Sequence, residues 1–167
     1  MTRALAVAAL VVLVVAVWAL MLRGWRRRAL RHPGVDPAPA LPADPGPPLT
    51  PASEGVYVAT TTEGDWLDRV TARGLGTRSA ADMLVTAAGV GWRRRGAPDV
   101  WVPVADLVAV RRSDGMAGKF VERGGLVVVT WRSGGRTLDT GFRPRHGDDA
   151  ARLTDAVGTL IDDGSTR

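Results

Sequence analysis

Two glycine-rich stretches and a few titratable pairs have residue types that do chemistry, and their spacing decides whether they can. GMAGKF (115–120) carries the glycines and lysine of a phosphate-binding loop. Such a loop needs four residues between its glycines and a hydroxyl after the lysine to hold Mg²⁺. Two residues separate Gly115 from Gly118 and Phe120 follows Lys119, so the stretch reads as a connection between strands. GVGWRRRG (89–96) fails the dinucleotide pattern because no helix pattern follows it. The two histidines, His32 and His146, stand far apart with no neighbouring histidine to share a metal. Asp148–Asp149 and Asp162–Asp163 are adjacent pairs, which suits helix ends better than an acid and base on one face. Without cysteine there is no thiolate metal site and no disulfide. The expectation is therefore no catalytic residue, no cofactor and no metal, and a chain that is not an enzyme.

Charge is the stronger signal. The 167 residues carry a net charge of +5, but residues 1–32 hold six arginines and no acid, leaving residues 33–167 at −1. The globular part is thus not a nucleic-acid binder by charge. Asn and Gln are absent, Lys119 is the single lysine and Ile161 the single isoleucine, the usage of a high-GC coding sequence. Arginine is then the default cation, and any one arginine carries little functional weight.

The arginines at the amino end follow an apolar run. Ala4–Leu22 is uncharged over 19 residues. At about 1.5 Å per residue that is roughly 28 Å of helix, close to the hydrocarbon thickness of a bilayer. A cleaved secretory signal has a 7–15-residue apolar core and small residues at its cleavage site. Here the run is longer, and the residues after it are bulky and cationic, so a retained anchor is the preferred reading, over a cleaved signal or a buried soluble helix. Arg23, Arg26, Arg27, Arg28 and Arg31 then set topology. Clustered positive charge stays on the cytoplasmic side, which places the short amino end (1–3) outside and residues 23–167 in the cytoplasm. Trp25 stands where an interfacial anchor belongs, and the basic segment (23–31) can also attract anionic lipid.

HPGVDPAPALPADPGPPLTP (32–51) has eight prolines in 20 positions. Proline at this density favours extended polyproline II, so the stretch is expected to be a semi-rigid spacer holding a domain away from the bilayer. Docking of a proline-reading partner is the lesser reading. From Gly55 the pattern turns to short Val- and Thr-rich runs. Strands are expected over 56–62, 81–89, 90–96, 99–104, 107–113, 126–133 and 136–142, with Pro103 at an edge or bend. Gly134-Gly135 is a two-residue hairpin turn. GDWLDRVTARGLG (64–76) is either a turn of helix or a structured loop. The final GDDAARLTDAVGTLIDD (147–163) places Leu153, Val157, Leu160 and Ile161 on one helical stripe. Asp148 or Asp149 is expected to cap it, and Asp162–Asp163 to fray its end. Trp92, Trp101 and Trp131 fall on strands and read as packing residues.

About seven antiparallel strands in two packed sheets, closed by one carboxy-terminal amphipathic helix, is a mainly-β plan that resembles the pleckstrin-homology-like (PH-like) fold. The stretches VYVATTTEGDWLDRVTARGLGTRSAADMLVT and GMAGKFVERGGLVVVTWRSGGRTLDTGFRP are similar to an actinobacterial family of small membrane proteins with one anchor and a bacterial PH-like domain. The resemblance covers about residues 54–162 and the anchor, and it brings no catalytic motif. It implies that the loops after the first, third and sixth strands gather at one open end. Those loops carry Arg69, Arg73 and Arg78, then Arg93, Arg94 and Arg95, then Arg132 and Arg136. Convergent guanidinium groups suit a phosphate or carboxylate. Three functions stay open: a membrane-anchored module that binds a protein partner through a sheet edge or an apolar groove beside the helix, an anionic-headgroup or small-anion sensor, and an accessory subunit of a membrane or transport assembly.

Overall fold

The computed structural model describes residues 12–22, 38–116, 119–120 and 124–165. The chain divides into two units, residues 1–33 and 34–167. In the first unit, helix α1 (residues 12–22) is uncharged, and every one of its residues is exposed. Among the described residues no helix is long and apolar enough to cross a membrane. Of the span expected over 4–22, residues 4–11 lie outside the described residues, as do Arg23, Arg26, Arg27, Arg28, Arg31 and His32.

The second unit is a β domain. Its strands are β1 (Ser53–Thr62), β2 (Asp65–Arg69), β3 (Ser79–Thr86), β4 (Gly89–Arg94), β5 (Val100–Pro103), β6 (Leu107–Ser113), β7 (Gly115–Met116), β8 (Lys119–Phe120), β9 (Leu126–Ser133) and β10 (Arg136–Pro144). Eight of them form one antiparallel sheet in the order β5-β4-β3-β1-β10-β9-β6, with β2 paired to the end of β1. The expected two sheets are thus joined into one hydrogen-bonded ladder. Strand β1 is the joint: Ser53–Tyr57 pair with β3, while Gly55–Thr62 pair with β10. A register shift between Tyr57 and Ala59 bends it there. Bulges of this kind kink a strand and raise its twist, which lets one sheet fold over a core. The ambiguous 64–76 stretch supplies both β2 and a one-turn 3-10 helix at Ala72–Gly74. Both residues of the Gly134-Gly135 turn have positive φ, 55° and 80°, which is why glycine occupies them.

Alternation along the strands builds the core. Met83, Val85, Val90, Trp92, Val100 and Val102 from one half of the sheet meet Val127, Val129, Trp131, Leu138 and Phe142 from the other. Tyr57 is buried between the halves, its ring edge-on to Trp92 at 6.1 Å. A polar chain runs through this apolar setting. Tyr57 Oη donates to the Leu75 carbonyl at 3.1 Å and also bonds Thr60 Oγ1. Thr60 Oγ1 meets Thr140 Oγ1 at 2.8 Å, and Trp131 Nε1 donates to Thr140 Oγ1 at 2.8 Å. The hydroxyls of Tyr57, Thr60 and Thr140 thereby find partners whose loss would cost about 1–3 kcal/mol for each group left unpaired.

Helix α2 (Gly147–Ser165) closes the core, with Ala150, Leu153, Val157 and Leu160 buried and Ile161 half-buried. It packs on β6, β9, β10, β3 and a 3-10 turn at Val104–Asp106. Two details differ from expectation. Asp148 and Asp149 lie inside the first turn and do not precede it, so they act on the helix dipole. Asp149 also accepts from Ser53 Oγ at 2.6 Å, tying the helix to β1. At the far end, where fraying is expected, the helix continues past Asp162–Asp163 to Ser165. On the opposite face of the sheet, Met116 covers Val58, Leu126 and Val128. Gly141 lies under it, where an added Cβ would sit 2.4 Å from Met116 Sδ.

The proline-rich stretch departs most from its expected role. Its residues 32–37 lie outside the described residues, while residues 38–49 touch the domain at several points and do not stand off as a spacer. Ala38 packs against the main core, Leu41 lies over Gly91 beside Trp101, and Leu49 N–H donates to the Val85 carbonyl at 2.8 Å. The physical reason is that Leu41 is apolar, and the outer face of β4–β5 offers it the open surface of Gly91 beside the Trp101 indole.

Candidate functional site

The eight arginines expected to share one mouth do different things. Arg94, on β4, is 6% exposed. Its Nε donates to Ser79 Oγ at 2.9 Å, and its Nη atoms donate to the carbonyls of Gly74 and Pro98, each at 3.1 Å, and to that of Thr77. The guanidinium lies 4.0 Å over the Tyr57 ring. Burial lowers the Arg94 pKa, with Tyr57 and Asp99 acting against that shift. Burial likewise raises the Tyr57 pKa, partly offset by Thr60, Arg94 and Thr140. These donors face backbone oxygens, so Arg94 is a clamp joining the loop after β2 to the β4–β5 hairpin. The expected anion contact would have to compete with these internal bonds.

Arg95 forms an ion pair with Asp82 at 3.1 Å. Half-buried Arg69 donates to the Gly76 carbonyl at 3.5 Å. Arg73, Arg78 and Arg93 are exposed. Arg73 adopts a left-handed backbone at φ 56°, in the loop that Arg94 clamps. Arg132 is exposed and Arg136 half-buried, at the β9–β10 hairpin. Arg132 lines a groove with Ala87, in the turn between β3 and β4. Arg94 pairs with Ala81 near the other end of that hairpin. Six residues of strand separate Ala81 from Ala87, about 20 Å at roughly 3.3 Å per residue. Arg132 and the 93–95 arginines therefore occupy opposite ends of the β3–β4 hairpin, and no single mouth collects all eight.

The groove holding Arg132 is the better site. It has a volume of about 530 Å³ and runs between the last turns of α2 and the 3-10 turn before β6. Leu49, Val104, Ala105, Leu107, Leu160 and Ile161 supply its apolar wall, with Arg132 and Asp163 among its lining. Leu49 is 51% exposed. Pockets of this size with apolar walls and a few polar groups are where small ligands or partner side chains bind. The helix stripe announced Leu160 and Ile161 in the sequence. Leu49 sits in the proline run without a periodic signal, and Val104, expected to end the strand over 99–104, lies in a one-turn 3-10 helix.

A second open pocket of about 590 Å³ is lined by Gly64, Arg111–Gly115 and Asp139. Its charges are internally matched: Arg111 pairs with the buried Asp139 at 2.7 Å, and Thr130 Oγ1 donates to the same carboxylate at 2.6 Å. Arg112 Nε donates to the Gly124 carbonyl at 2.9 Å. Among the described residues no group of three or more His, Cys, Asp or Glu could hold a metal ion.

No curated protein matches the chain. The family model described as bacterial PH domain-like matches residues 35–158. That match begins inside the proline-rich stretch, in accord with the packing of residues 38–49 on the sheet. A bent antiparallel sheet closed by a carboxy-terminal helix is what such a domain requires, and the chain belongs to the bacterial PH domain-like family.

Proposed function

We propose that this chain is a single-pass, membrane-anchored, non-enzymatic interaction module whose PH-like domain lies in the cytoplasm and binds a protein partner. The groove beside α2 carries the partner-binding half of this reading. It has an apolar wall open at Leu49 beside a polar lining that, among the described residues, carries one cation and one anion, which suits a side chain presented by a protein more than a phosphorylated headgroup. Supporting the anchor is α1, where residues 12–22 carry no charge and expose every side chain. An apolar helix with no covered face needs lipid or protein around it. The arginine-lined sensor has less support, because Arg94 and Arg95 already have partners within the domain.

A photo-reactive residue at Ile161 in the full chain, activated in native membranes, tests this reading. It is expected to yield a protein adduct that Ala105→Trp, which fills the groove, abolishes. Lipid adducts alone, or protein adducts indifferent to Ala105→Trp, would contradict it. Anionic vesicles with Arg73→Ala/Arg78→Ala/Arg93→Ala form the second arm, and loss of vesicle binding there would favour the sensor.

A further inference from the structure

The packing of residues 38–49 has a consequence for how the domain is tethered. Val90 and Trp92 face the core, so Gly91 between them faces outward, and Trp101 opposite it does the same. A Cβ at Gly91 would sit 2.7 Å from Leu41 Cδ1 and 3.0 Å from Trp101 Cε3. The indole on this outer face is only 4% exposed, with Leu41 against the same glycine. The backbone contacts of the segment with the sheet lie at one end, where Pro48 bridges Thr86 and Leu49 N–H bonds the Val85 carbonyl. Proline has no N–H to add more along the rest. Thr50 lies two residues beyond Pro48, and its buried hydroxyl has no partner among the described residues. Among the described residues the segment thus touches the domain through Ala38 and Leu41, and its backbone pairs with the sheet only at Pro48 and Leu49. Segments held by few backbone bonds open more readily than the central strands of a fold.

We propose that residues 38–47 are a releasable strap, which leaves the sheet while the domain stays folded and thereby uncovers the Trp101 face. Docked, the strap covers the indole. Released, it adds ten residues of tether, about 31 Å in polyproline II. Pull from the amino-terminal side peels it from the Ala38 end, away from the Leu49 bond. The tether length rests on the membrane-anchored reading, whereas the release itself does not.

Fluorotryptophan NMR on the full chain in micelles tests the strap, with Trp101 assigned through Trp101→Phe. The Trp101 fluorine is expected to exchange between a buried and a minor solvent-exposed state, while Trp92 and Trp131 do not. Oxidising a Leu41→Cys/Gly91→Cys pair should reduce that exchange at least tenfold, and reduction should restore it. Leu41→Ser, which needs no second substitution, should raise the exposed population at least tenfold with Trp92 and Trp131 unmoved. A single buried Trp101 signal without exchange would make the segment a fixed part of the domain and overturn the proposal. A wholly exposed signal, or exchange shared by Trp92 and Trp131, would overturn it too. None of these outcomes depends on where α1 resides, so failure here leaves the anchor reading standing.

Discussion

Tyr57 and Arg94 set the behaviour of the domain at the residue scale. Tyr57 is the only tyrosine in the chain, so its phenolate absorbance reports one site. Its folded pKa lies above 10.0, mainly through burial, so the folded state keeps a proton that the unfolded chain loses. Stability from this source is complete below about pH 10 and declines as pH rises through the folded value. Alkaline titration followed by ultraviolet absorbance should therefore show the phenolate only as circular dichroism reports unfolding. Tyr57→Phe should flatten the alkaline slope at a lower starting stability. Arg94 holds the carbonyls of Gly74, Thr77 and Pro98 with a planar fork that an ammonium cannot reproduce. Arg94→Lys leaves buried acceptors unpaired and should cost about 2–3 kcal/mol in urea unfolding. Arg78→Lys, on an exposed neighbour, should cost nothing measurable by the same assay.

The elements divide into those that repeat a pattern and those that rely on a distant partner. Strands β6 and β9 coincide with the runs expected at 107–113 and 126–133, because Val-rich alternation bounded by Ser, Asp and Gly is a local signal. Strand β2 has no such signal: DWLDR forms a strand only because the end of β1 offers it an edge. The same holds for the proline segment, whose composition announces polyproline but not the indole face that receives it. Arg94 and Arg95 are neighbours in sequence and opposite in role, since strand alternation turns one inward to backbone oxygens and the other outward to Asp82. An arginine run cannot disclose that split without the register. Helix α2 offers a test in the stabilising direction. A Cβ on Gly158 would meet only Val110 Cγ1, at 3.9 Å, so the site has room. Gly158→Ala should raise stability by about 0.5–1 kcal/mol through helix propensity. Gly141→Ala, forced against Met116 Sδ, should lower it by about 1–3 kcal/mol. Thermal unfolding of the two variants beside the parent checks both signs.

The whole molecule is a charge-asymmetric chain: six arginines and no acid in residues 1–32, and a domain near neutrality after them. That asymmetry, with an uncharged helix showing every face, is what our account turns into a domain held at the inner surface of a membrane. On that proposal, tethering would raise the domain's effective concentration toward a membrane-bound partner, so a groove of modest affinity would suffice. The most direct check is protease treatment of intact spheroplasts expressing the full chain with a carboxy-terminal tag, followed by alkaline extraction of the membranes. The account predicts that the tag survives external protease, is digested once the cells are lysed, and stays in the membrane pellet at alkaline pH. A tag lost before lysis, or released into the alkaline supernatant, would contradict it.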